Sequence, residues 1–215
     1  MLFTGERAHG ESFWGNKRFA DHYERYDFAK NYCKDKVVLD IASGSGYGSF
    51  ILSKRAKKVI GVDISQESID YCKKNIKNGN LEFVTGNGKN IPLEDNSCDL
   101  IVSFETIEHI LEYDNFLSEL KRVLQHGGKL IISTPNFRGE IIKNKYHVSN
   151  FTTDLFIKTV SNFFNIENIY YQGKHFYPFP GRGILESLFG ISRNIKIHSD
   201  KPDYNHHVTI IEASK

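Results

Sequence analysis

Val38-Leu39-Asp40-Ile41-Ala42-Ser43-Gly44-Ser45-Gly46-Tyr47-Gly48 carries a short apolar run through an acidic residue into three glycines at alternate positions. The apolar run, beginning near Lys36, reads as a buried strand, and residues 47–56 read as the helix that follows it. Gly44 and Gly46 let the chain turn tightly between the two and approach a ligand with no Cβ in the way. Outward from this turn, residues 59–63 form a second strand. It ends in Asp63, about twenty residues on, where a carboxylate is placed to bond ribose hydroxyls. A dinucleotide site is built in the same way, so the loop alone leaves the cofactor open.

The alternation continues downstream. Ser65 is placed to cap a helix over residues 66–76 that turns Ser68, Ile69 and Cys72 inward. Residues 81–85 form a third strand and 99–104 a fourth. A helix over 115–124, closed by Gly127-Gly128, leads to a fifth strand over 129–134 that Pro135 ends. A helix near 153–162 and strands near 165–171 and 206–213 complete the chain. Strands alternating with helices of this length imply right-handed crossovers and parallel pairing. The expected fold is α/β: a Rossmann-like doubly wound sheet of about seven strands, mostly parallel with an antiparallel last strand. Residues 1–34 form an N-terminal helical cap, 35–172 and 205–215 the core, and 173–204 an inserted lid. The aromatic stretch at 176–183 in that lid suits stacking against a planar acceptor.

Composition excludes several classes. The chain has 215 residues, 40% of them hydrophobic and 25% charged, which suits one ordinary globular domain and not a disordered chain. A formal net charge of +2 lacks the positive field of a dedicated nucleic-acid binder. Cys33, Cys72 and Cys98 form neither a metal pair nor a disulfide framework, so a reducing cytoplasm is the expected compartment. The first residues lack the apolar core of a signal peptide, and no run is long enough to span a membrane.

Two details separate the possible cofactors. Asp40, just before the glycines, would repel a pyrophosphate but suits the ammonium of an amino-acid moiety, and no Gly-Lys-Ser/Thr follows to make a phosphate loop. The chemistry therefore favours a cationic adenosyl ligand over a nicotinamide dinucleotide. With these residues the sequence resembles the class I S-adenosylmethionine-dependent methyltransferases. The resemblance extends through Gly86-Asn87-Gly88, through 98–104 and through 124–135. It implies S-adenosyl-L-methionine as cofactor, with S-adenosyl-L-homocysteine as product, held by Asp40, Ala42, Gly44, Ser45, Gly46, Asp63, Ile64, Asn87, Gly88, Phe104 and Tyr26. Ala42 stands where many members have glycine, and Asn87 where an aspartate commonly meets the adenine.

Candidate chemistry follows the fourth strand in Glu105-Thr106-Ile107-Glu108-His109. As a helix this segment would project Glu105, Glu108 and His109 on one face. The expected catalytic residues are His109, His147 and Glu108. No metal is expected, unless Glu105, Glu108 and His109 hold a divalent cation as in the similar ubiquinone-pathway O-methyltransferases. His206 and His207 open the last strand and read as structural, because alternate faces keep them apart. Arg7, His22, Arg25 and Tyr26 resemble the opening of a bacterial subgroup associated with polysaccharide and glycan biosynthesis, where this segment roofs the cofactor pocket.

The function these features imply is methyl transfer to a small-molecule acceptor, a hydroxyl of a sugar or glycan intermediate. A quinone, phenol or other small metabolite is the alternative acceptor, and a non-catalytic cofactor-binding subunit the alternative role. No nucleic-acid partner is expected: the segment after the fourth strand, Ser103-Phe104-Glu105-Thr106, lacks the Asp/Asn-Pro-Pro-Tyr-like grip on a flipped base.

Overall fold

The computed structural model describes residues 17–137, 147–173 and 206–215. Helix α1 (Lys17–Lys30) leads into β1 (Val37–Ile41), α2 (Tyr47–Ser53), β2 (Lys58–Asp63), α3 (Gln66–Asn75) and β3 (Leu81–Thr85). Then come β4 (Cys98–Phe104), a single 3₁₀ turn (Ile107–His109), α4 (Tyr113–Val123), β5 (Leu124–Pro135), α5 (Thr153–Ser161), β6 (Asn165–Gly173) and β7 (His206–Ser214). The seven strands form one sheet in the order β3-β2-β1-β4-β5-β7-β6. Pairing is parallel from β3 to β5, and β7 runs antiparallel between β5 and β6.

The apolar runs are continuous because both faces of the sheet are covered, and alternate residues serve opposite cores. Val38, Leu100, Val102 and Ile131 pack with Tyr26 and Ala29 of α1 and Leu52 of α2. Leu39, Ile101, Leu130 and Ile132 pack on the other face with Phe116, Leu120 and Val123 of α4 and Phe156 and Val160 of α5. Ser65 Oγ accepts from Ser68 N at 3.2 Å as the cap of α3, which buries Ser68, Ile69 and Cys72 as the sequence implies.

Two expectations are corrected. Gly127-Gly128 does not close α4, which ends at Val123 and passes straight into β5. The glycines lie in an irregular stretch of β5 between the residues paired with Cys98 and Leu100, and Gly127 has φ 74°. Nor is the segment after β4 a helix. Glu105 turns left-handed (φ 51°), and only Ile107–His109 coils. Arg7 and the lid, with its 176–183 stretch, lie outside the described residues. Among the described residues no helix is long and apolar enough to cross a membrane.

The sheet order reverses direction at β1: β2 and β3 lie on one side, β4 and β5 on the other. That reversal opens a crevice at the carboxyl ends of β1 and β4, the place where ligands enter open α/β sheets.

Candidate functional site

The turn after β1 is held by its own backbone and by one carboxylate. Ala42 (φ 61°), Gly44 (φ 54°) and Gly46 (φ 77°) all take the left-handed conformation within five residues. Asp63, at the end of β2, accepts from Gly44 N through Oδ2 and from Ser65 N through Oδ1, each at 2.8 Å. One side chain thus fixes both the glycine turn and the start of α3. The glycines divide their roles. A Cβ on Gly44 would meet nothing within 4 Å, because that position faces open space. A Cβ on Gly46 would lie 2.7–2.8 Å from Ile76, Cys72 and Phe83, and one on Gly48 would lie 2.1 Å from the Tyr26 ring.

The crevice is a cavity of about 830 Å³, a size suited to a small-molecule ligand. Of the expected cofactor residues, Tyr26, Ala42, Gly44, Ser45, Asp63, Ile64, Asn87, Gly88 and Phe104 line it. Asp40 and Gly46 do not. Asp40 is fully buried behind the wall, where Tyr26 Oη (3.0 Å) and Ser49 Oγ donate to it. Burial, with a further contribution from the Asp63 charge, pushes its carboxyl up to about 7 against the pull of the two hydroxyls. Asn87 Oδ1 accepts from Lys89 N at 3.0 Å and so also closes its own turn.

The other end of the cavity is densely polar. Arg25, His22 and Tyr26 of α1 reach it, as do Glu105, Glu108, His109 and His147. Arg25 is 1% exposed, donates to Gln172 Oε1, and sits 3.9 Å from Glu105 Oε1. Glu108 is buried; Thr134 Oγ1 donates to its Oε2 at 3.1 Å, while Oε1 has no hydrogen-bond partner among the described residues. Burial and the Glu105 charge push the Glu108 carboxyl well above its ordinary value. The expected face of Glu105, Glu108 and His109 does not form: Glu105 turns toward Arg25 and Ser133. His147 takes its place, its ring edge-to-face on His109 at 4.9 Å between centroids.

His206 and His207 diverge as alternation requires, but they are not equally structural. His206 bonds Asn136 and Thr153, whereas His207 lines the cavity and meets Asp21 Oδ2 at 3.2 Å. The signal for His207 was available in the period of β7. What sequence lacked was the approach of α1, which brings Asp21 to it.

Residues 39–132 match a family model described as a methyltransferase domain. A protein of Mycolicibacterium smegmatis that bears the name S-adenosylmethionine-dependent methyltransferase is 34% identical over 140 residues, covering 63% of this chain and 52% of that one. A fatty-acid O-methyltransferase of the same organism is 30% identical over 108 residues, covering 49% of this chain and 39% of that one. The chain thus spans about half the length, or less, of the curated relatives it matches. A solved S-adenosylmethionine-dependent methyltransferase from Mesorhizobium loti superposes with a TM-score of 0.64 at 12% identity, over 94% of this chain and 99% of that one.

Proposed function

We propose that this chain, whose residues 39–132 match a methyltransferase domain model, transfers a methyl group from S-adenosylmethionine to the hydroxyl of a small molecule, a sugar or glycan intermediate. When bound, that cofactor supplies a methyl group on a positively charged sulfur, open to in-line displacement by an aligned nucleophile.

The observation that carries the reading is the electrostatic asymmetry of the turn. Asp63 lies in the wall beside Gly44 and Asp40 lies directly behind it, while the cation among the described lining residues, Arg25, is engaged by Gln172 and Glu105 at the other end of the cavity. Such a wall attracts an ammonium or sulfonium group and repels a pyrophosphate. Asp63 and the outward-facing Gly44 would hold the ribose and the methionine portion, Ile64 would cover the adenine, and Asn87 and Gly88 would border it. The cation-bearing part would sit toward Tyr26 and Phe104.

The acceptor would lie at the polar end, among Arg25, Glu105, Glu108, His109 and His147. Charged and imidazole groups there offer hydrogen-bond donors and acceptors to a polyhydroxylated molecule and nothing comparable to an acyl chain. Alignment can supply about 7–11 kcal/mol of a displacement barrier. The residues must also manage the hydroxyl proton, and the Glu108–His109–His147 group stands where that proton leaves.

Calorimetric titration separates the readings. S-adenosylmethionine and S-adenosylhomocysteine should bind one per chain, and Asp63→Ala should weaken both by tenfold or more. Tight binding of a nicotinamide dinucleotide with no binding of either nucleoside would remove the proposal. Methyl-labelled turnover on sugar-nucleotide, phenol and fatty-acid panels should favour the sugars; exclusive turnover of a fatty acid would overturn the acceptor assignment and leave methyl transfer standing.

A further inference from the structure

Among the described residues the sheet has two edges, β3 and β6, and they are protected differently. β6 is broken by register shifts between Ile166 and Asn168 and between Gln172 and Gly173, irregularities that blunt a strand against further pairing. β3 is regular from Leu81 to Thr85. Its bonds to β2 fix which backbone groups face away. Asn80 O accepts from Val59 N at 2.8 Å, and Gly86 N donates to Asp63 O at 3.0 Å. Residues 80, 82, 84 and 86 therefore turn their backbone groups to β2, while 81, 83 and 85 turn theirs outward. Leu81 N is spent on Asn78 O at 3.1 Å, but the N–H and C=O of Phe83 and Thr85 find no partner among the described residues.

Cations frame this open edge. A groove of about 640 Å³ adjoins it, lined by Lys73, Ile76 and Lys77 at and just beyond the end of α3 and by Leu81, Glu82 and Phe83 of β3. Lys73, Lys74 and Lys77 are exposed, as is Lys57 at the approach to β2, and none of the four joins an ion pair among the described residues. Edge strands that are kept single carry unpaired charge on the strand itself. In β3 the charged residue is Glu82, and Lys58 neutralises it at 2.8 Å. The strand is thus left neutral, with charge of one sign beside it.

We propose that the edge of β3 receives an extended, acidic segment of a partner protein, which adds a strand to the sheet. Pairing with the free N–H and C=O groups of Phe83 and Thr85 supplies affinity. Lys73 and Lys77, with Ile76 and Leu81 between them in the groove, select acidic and apolar side chains at alternate positions of the incoming strand. A lipid headgroup or a nucleic-acid backbone would answer the lysines and leave the outward backbone groups unused. A protein segment accounts for both.

The test selects displayed peptides of about ten residues against the full chain. Bound sequences should alternate acidic with apolar residues and lack proline at their centre. The best binder, made synthetically, should slow amide exchange at Phe83 and Thr85, and raising salt to about 0.5 M should weaken it. Lys73→Glu combined with Lys77→Glu should weaken it by about tenfold or more. Thr85→Pro removes an outward N–H without touching a bond to β2, a change that edge strands tolerate, and should weaken it as well. An unchanged melting temperature certifies the fold of each variant, and the lysine pair carries the test should Thr85→Pro melt early. Selection of basic or uncharged sequences, or protection elsewhere on the chain, overturns the site. Phosphatidylserine vesicles and a polyuridylate strand are titrated in parallel. If either binds through Lys73 and Lys77 without protecting Phe83 and Thr85, and no acidic peptide is selected, the surface belongs to a lipid or a nucleic acid and strand addition is overturned.

Discussion

Asp40 holds its position behind the cofactor wall at an electrostatic cost. Its oxygens take hydrogen bonds from Tyr26 and Ser49, yet burial dominates and lifts the carboxyl to about 7, against about 3.9 in an unfolded chain. The sign follows. The folded state binds the proton more tightly, so this group's contribution to stability is complete below about pH 4 and is lost as pH rises toward 7. The slope can reach about 1.4 kcal/mol per pH unit. Thermal melts of Asp40→Asn between pH 4 and 7 should therefore show a flatter stability profile than the wild type. The same ionisation governs binding of a cation in front of the wall. Affinity for S-adenosylmethionine should rise between pH 6 and 8, with proton release in calorimetry, and Asp40→Asn should abolish both trends. A wild-type affinity independent of pH across that range would disconnect Asp40 from the cofactor.

Among the elements, Gly48 in α2 exists for the sake of α1. Its Cα faces the Tyr26 ring so closely that an added Cβ would lie 2.1 Å from it, and the ring cannot retreat freely. Asp40 holds its hydroxyl, while Tyr47 and Phe104 meet it edge-on at 5.5 and 5.0 Å. Gly48→Ala gains helix propensity of about 1 kcal/mol but overpacks the contact, and the overpacking wins. Urea denaturation should show a loss of about 1–3 kcal/mol with an unchanged slope. A Tyr26→Ala background should recover most of it. The same scale explains what sequence could reveal. Strands buried on both faces announce themselves as apolar runs, so β1, β2 and β4 and the turn between β1 and α2 were legible to within a residue or two, as was the half-exposed edge strand β3, while β5 runs longer than the sequence implies. Glu105–His109 was not legible, because its helical spacing is overridden by a left-handed residue whose N–H is claimed by Ser133 O at 3.2 Å. Gly127-Gly128 misled for a related reason: a positive-φ glycine marks a bend, and nothing local says whether the bend ends a helix or interrupts a strand. Ala42 carries the lesson in reverse. This residue, which stands where many members of the resembled family have glycine, adopts φ 61°, a conformation that costs a non-glycine residue about 1–2 kcal/mol.

Over the whole molecule, α1 works as a clasp between the two halves of the sheet. On the parallel side Tyr26 reaches Asp40 of β1. On the antiparallel side Arg25 donates to Gln172 of β6, Gln172 Nε2 donates to Asp21 O and Glu24 Oε2, and Asp21 meets His207 of β7. Gln172 is 1% exposed and joins three residues of α1 through one amide. No sequence pattern announces it, since its partners lie nearly 150 positions away. Gln172→Leu keeps the volume but strips hydrogen bonds from a buried guanidinium and a buried carboxylate, each worth about 1.5–3 kcal/mol. Because the loss falls on one clasp and not on the central strands, it should appear as local opening. Hydrogen–deuterium exchange should accelerate in residues 21–30 while β1 and β4 stay protected. Saturating S-adenosylhomocysteine, which would pack against Tyr26 in the proposed pose, should return part of that protection. Equal acceleration in α1 and β4 would mean that the helix and the sheet unfold as one unit and that the roof does not move independently of its floor.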